Sequence, residues 1–110
     1  HESQMLSKID QSIAEQLKVK LQEITPLESL VVYGSRARGD SSPDSDLDVY
    51  IEVPRISPEL RRAISEIAWE IGFKNSIIIS TFVVTPEGIK EGPVGANPLI
   101  TAVKLEGVPI

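Results

Sequence analysis

The chain lacks cysteine altogether and carries a single histidine, His1. Disulfides and cysteine-based zinc sites are therefore excluded. With its one imidazole at the very start, histidine catalysis and His-rich metal centres are set aside as well. Positive charge is in short supply: 11 Lys and Arg stand against 16 Asp and Glu, a net charge of −5. A protein that coats nucleic acid needs the opposite balance, so nucleic acid is not indicated as a partner. No apolar run approaches the ~20 residues of a membrane helix. No secretory signal is evident, so a cytoplasmic protein with no membrane contact is expected. There is no internal repeat and no low-complexity segment. At 110 residues the chain suffices for one domain around one core. Residues 1–4 precede Met5 and read as an appended remnant, which leaves 5–110 as one expected domain.

Apolar periodicity then sets out the elements. Leu6, Ile9, Ile13, Leu17, Leu21 and Ile24 recur at spacings of three and four, which predicts an amphipathic helix ended by Pro26. Leu30 to Tyr33 is a short apolar run with strand composition, halted by Gly34. Asp46 to Val53 is a second strand, with Leu47, Val49 and Ile51 on one face and Asp46, Asp48, Tyr50 and Glu52 on the other. Ser57-Pro58-Glu59 is a helix start, followed by the stripe Leu60, Ile64, Ile67 and Ile71, with Gly72 as its cap. Ile77 to Val84 is a third strand, rich in β-branched residues. Thr85-Pro86-Glu87 opens a turn or short helix, Gly88 to Pro98 is expected to be loop, and Asn97-Pro98 starts a last helix that Gly107 ends. These stripes are buried by an α/β (α+β) arrangement, a single mixed sheet with helices packed mainly on one face.

Residues 34–48 carry the chemistry. A Gly-Ser turn is followed by Arg36-Ala37-Arg38-Gly39 and then by Ser45-Asp46-Leu47-Asp48. Asp46 and Asp48 alternate on one strand face, and two converging carboxylates suit a divalent cation. The turn's backbone N–H groups suit phosphate. Alone, the turn is a simple turn and the carboxylates a solvated face; together they point to nucleotidyl transfer. For Arg36 and Arg38 a surface role and a phosphate role stand side by side. Asp40 and Asp44 read as turn residues, and Trp69 as core or partner interface.

This stretch resembles the nucleotidyltransferase superfamily related to DNA polymerase β, and within it the minimal nucleotidyltransferase branch. Asn97 to Gly107 also resembles that family's terminal helix and its following glycine. The resemblance implies that Gly34 and Ser35 hold the triphosphate of an NTP, by expectation ATP, with Arg36, Arg38 and Ser45 also on the nucleotide. It implies that Asp46 and Asp48 are the catalytic pair and bind magnesium (Mg2+). It further implies a small helical HEPN-type partner protein, as in a toxin–antitoxin pair, or else a homo-oligomer.

The family's active members usually carry a third carboxylate on the next core strand. Here residues 76–84 contain no acid, and Ser80 or Ile78 takes its place. Glu52 shares the carboxylate face but lies too far along the strand to share a metal. Two functions are therefore expected side by side: an enzyme that transfers a nucleoside monophosphate to a hydroxyl, or a catalytically impaired nucleotide- or partner-binding antitoxin. A magnesium-nucleotide sensor is a third.

Overall fold

A computed structural model describes residues 6–110; the remnant expected at residues 1–4 lies outside them. Ser7 caps the first helix by accepting the Asp10 N–H at 3.0 Å. α1 then runs Lys8–Gln22. It leads to β1, Ser29–Tyr33, and a single turn of helix, α2, Ser35–Arg38. β2, Leu47–Glu52, returns antiparallel to β1, with Tyr33 opposite Asp48. α3, Pro58–Lys74, crosses over to β3, Ile79–Val84, which lies parallel to β2. α4, Pro86–Glu91, a 3-10 turn at Pro93–Ala96 and α5, Pro98–Glu106, follow. The short β4, Val108–Pro109, completes a mixed sheet of order β3-β2-β1-β4.

The sheet's two faces follow from the alternation in β2. Leu47, Val49 and Ile51 are fully buried against α1 and α3, in one cluster with Leu17, Leu21, Val32 and Ile64. Tyr50 points the other way. It joins Val31, Tyr33, Val84 and Ile100 in a smaller cluster closed by α5 and by Ile89 of α4. The two long helices thus cover one face, and two short ones shelter part of the other.

Four sequence expectations are corrected. Ile9 is 73% exposed and Ile24 is also exposed; the residue of α1's first turn that faces inward is Asp10. Ile9 and Asp10 both lie within helical spacing of Ile13, and Asp10 is drawn in by a charged partner described below. Gly72 is not the cap of α3. The helix continues to Lys74 and closes with Ile77 N–H on the Gly72 carbonyl (2.9 Å) and Ser76 N–H on that of Phe73 (3.3 Å). This is a Schellman pair with Ser76, at φ 58°, in the position glycine usually takes. Gly72 is needed because a Cβ there would meet the Ile77 carbonyl. The stretch from Gly88 is not all loop, since Thr85 Oγ1 caps α4 by accepting the Gly88 N–H at 2.9 Å. Of the two readings of Trp69, core and partner interface, the first is excluded: it is 67% exposed and stacked on the exposed Phe73, centroids 5.2 Å apart.

Candidate functional site

The site lies where β1 ends and β2 begins. Gly34 adopts φ 81°, ψ −159°, a region essentially closed to side-chain-bearing residues. It turns the chain sharply from β1 into α2 directly over Asp48, so closely that a Cβ on Gly34 would collide with the Asp48 carboxylate. Gly39, at φ 84°, ends the turn of helix, with its N–H on the Ser35 carbonyl at 2.9 Å. The sequence thus provides glycine at both ends of a four-residue helix, and Ala37 between them is buried as its anchor.

Asp46 is exposed just ahead of β2, and Asp48 is half-buried two residues on, on the face away from α1 and α3. Burial raises the Asp48 carboxyl above its usual range, and the Asp46 charge raises it further, while Arg38 pulls it partly back. Tyr33 is raised as well, first by burial and then by the neighbouring Asp48 charge. In β3 the residue opposite Asp48 is Ser80. Among the described residues no group of three or more His, Cys, Asp or Glu side chains converges on a metal-sized site. Glu52 instead accepts the Tyr50 hydroxyl at 2.7 Å.

The raised Asp48 carboxyl has a consequence for stability. Between its ordinary value of 3.8 and its higher folded value, the native state binds more protons than the unfolded chain. Stability therefore falls as pH rises through that window, and the penalty is fully present at neutral pH. Asp48→Asn removes the charge and is expected to melt above the wild type at neutral pH. That advantage disappears below the ordinary carboxylate range. Thermal melts followed by circular dichroism across acid and neutral pH measure it.

The other expected site residues divide. Ser35 opens α2, and its carbonyl accepts the N–H groups of Gly39 and Asp40. Arg38 is exposed and reaches Asp40 Oδ2 at 3.2 Å and Glu106 Oε2 at 3.0 Å. Arg36 turns inward. Its Nη1 lies 3.1 and 3.2 Å from the two carboxylate oxygens of Asp10, Nε donates to the Ser45 carbonyl at 2.9 Å, and Nη2 to that of Pro43 at 3.2 Å. Ser45 also folds the loop on itself, its Oγ accepting the Ser42 N–H at 3.0 Å. Arg36 and Ser45 thus shape the loop that delivers Asp46, whereas Gly34 lies against Asp48, whose charge both Asp46 and Arg38 feel.

Asp10 and Glu106 are the residues that sequence reasoning missed. Asp10 left a trace, as an acid within helical spacing of Ile13, Ala14 and Leu17. Glu106, which accepts the Gly34 N–H at 3.0 Å, lies in the stretch that resembles the family's terminal helix, but its link to the turn could not be read there because only the fold joins them. Beyond Tyr50 the same sheet face opens into a cavity of about 760 Å³ between α4 and α5, walled by Ile89, Lys90, Ile100 and Lys104.

This architecture has counterparts. It resembles a crystal structure of a toxin–antitoxin with AMP-PNP, at TM-score 0.58 and 18% identity, over 86% of this chain and 70% of the other. It also resembles a mutant of the toxin–antitoxin MntA-HpeT, at TM-score 0.58 and 15% identity, over 91% and 70% of the respective chains. No curated protein matches the chain. Residues 14–97, which include the glycine turn and both carboxylates, match the family model of the nucleotidyltransferase domain, and the chain belongs to that family.

Proposed function

We propose that the chain is a minimal nucleotidyltransferase that binds a magnesium nucleoside triphosphate, by preference ATP, and transfers its nucleoside monophosphate to a hydroxyl. The observation that supports this most directly is the half-buried Asp48 at the start of β2, with Gly34 pressed against its carboxylate and the Asp46 charge, from just ahead of the strand, acting on it. The donor set fits the metal: magnesium is usually held by one or two carboxylates, with phosphate oxygens and water completing the shell. When bound, it supplies charge neutralisation for an in-line displacement at phosphorus. The chain's own part is placement. Gly34 and Ser35 present backbone to the phosphates, Arg38 adds a positive charge, and Asp46 and Asp48 fix the cation. We leave Arg36 and Ser45 to the loop, because their polar groups are engaged there.

The similarity to toxin–antitoxin structures, one of them with AMP-PNP, supports an antitoxin role. The partner would be a small helical protein of HEPN type, in the cytoplasm, and it would carry the acceptor hydroxyl. No helix among the described residues is long and apolar enough to cross a membrane. A second reading is favoured by Ser80 opposite Asp48 and by the lack of a third converging acid among the described residues. It is a module that binds nucleotide and partner without turnover.

Incubation with labelled ATP, magnesium and the partner separates the two. The enzyme moves label onto the partner, and Asp46→Asn or Asp48→Asn lowers that rate ~100-fold or more, as expected for loss of several kcal/mol of charge stabilisation. Magnesium-dependent ATP binding without label transfer supports the second reading. Absence of both would sink the nucleotide assignment itself.

A further inference from the structure

The last residue of α5 sits where an incoming phosphate is wanted. Glu106 Oε2 accepts the Gly34 N–H and one Arg38 N–H, each at 3.0 Å. No local preference puts an acid there: its partners lie 72 and 68 positions earlier in sequence. The C-terminal end of a helix carries partial negative charge and disfavours a carboxylate, so the contact works against α5's own field. Its direction is nevertheless fixed. The following Gly107 is held by its N–H on the Val103 carbonyl at 2.9 Å, and a Cβ on it would strike both that carbonyl and Val31. Glu106 is also no substitute for the third acid, since it does not converge with Asp46 and Asp48 on a metal-sized site.

We infer that Glu106 is an internal anion that occupies the Gly34 and Arg38 donors, and that a nucleotide's phosphate must displace it to bind; this rests on the nucleotide reading above. Two anions on the same pair of donors exclude each other. The site is therefore an equilibrium between a form closed by Glu106 and an open form. Apparent affinity is reduced by the fraction of molecules that are open. A site closed in most molecules gains severalfold in affinity when the carboxylate is removed.

Calorimetric titration of the whole chain with tripolyphosphate and with magnesium ATP tests this in the wild type, Glu106→Gln and Glu106→Ala. Both variants are expected to bind both ligands roughly 3–10-fold more tightly. Circular dichroism melts confirm that each variant is folded; should Glu106→Ala fail to fold, Glu106→Gln, which keeps the size but removes the negative charge that holds Arg38, decides. Wild-type binding with equal or weaker binding in a folded variant overturns the inference and leaves the nucleotide assignment standing. No binding of either ligand by any of the three proteins overturns both.

Discussion

Asp10→Ala is expected to lower the stability of this chain by about 3 kcal/mol, or roughly 10 °C or more in melting temperature. The Asp10 and Arg36 side chains are only 7% and 12% exposed, and the carboxylate meets Arg36 Nη1 through both oxygens. Removing one member of such a pair leaves a charge in low dielectric with nothing opposite it, which typically costs about 3–5 kcal/mol. The low end applies because Arg36 retains the carbonyls of Pro43 and Ser45. Asp10→Asn keeps an acceptor and is expected to lose less. Urea or thermal unfolding measures both, and a loss below ~0.5 kcal/mol in Asp10→Ala would show that the pair is not holding α1 to the loop. The effect reaches the site, because Arg36 is the strut between α1 and the segment that delivers Asp46.

Gly34→Ala is expected to damage fold and site together. Its φ of 81° and ψ of −159° cost a non-glycine residue about 1–3 kcal/mol. The added methyl group would also occupy the space of the Asp48 carboxylate, so Asp48 must swing away or β1 must separate from β2. Magnesium ATP affinity is accordingly expected to fall about tenfold or more, the equivalent of ~1.4 kcal/mol lost at the carboxylate pair. Gly39→Ala is the control. Gly39 sits at φ 84°, ψ 12°, where the left-handed conformation costs about 1–2 kcal/mol, and it ends α2 on the side away from β1. Calorimetry and thermal melts on the two variants separate backbone strain from displacement of Asp48. Equal nucleotide affinity in Gly34→Ala and wild type would refute the close approach as a functional constraint.

The parts of this site that could be read in the sequence are those that are local in the chain. The glycine turn, the outward side of Asp48, and the burial of Leu47, Val49 and Ile51 depend on residues a few positions apart, where the two-residue period of a strand decides; Asp46, expected as the first residue of that strand, lies just ahead of it. The absence of an acid in β3 was legible too, but the choice between Ser80 and Ile78 was not, because register is a property of two strands. It is Ser80 that pairs with Asp48. Arg36 escaped a single assignment because its partner lies 26 residues earlier, in a helix whose apolar spacing alone favoured Ile9. Glu106 stands at the far end of the chain from Gly34 and becomes its neighbour only through the packing of α5 on β1. The helix at Pro86–Glu91 was underestimated because its capping threonine outweighs the glycine and prolines around it.

Trp69 is the single tryptophan, and its exposure on α3 determines what light can report about this protein. An indole already in water emits at long wavelength in the native state, so unfolding changes its colour little. It also lines a cavity with Pro43, Asp44 and Ser45, in the loop just ahead of Asp46, so a rearrangement of that loop changes its surroundings as well. A protein that covers the outer face of α3 would shift that emission to the blue. Tryptophan emission is therefore, for this chain, an optical gauge of contact on the outer face of α3 and of the loop that leads to Asp46.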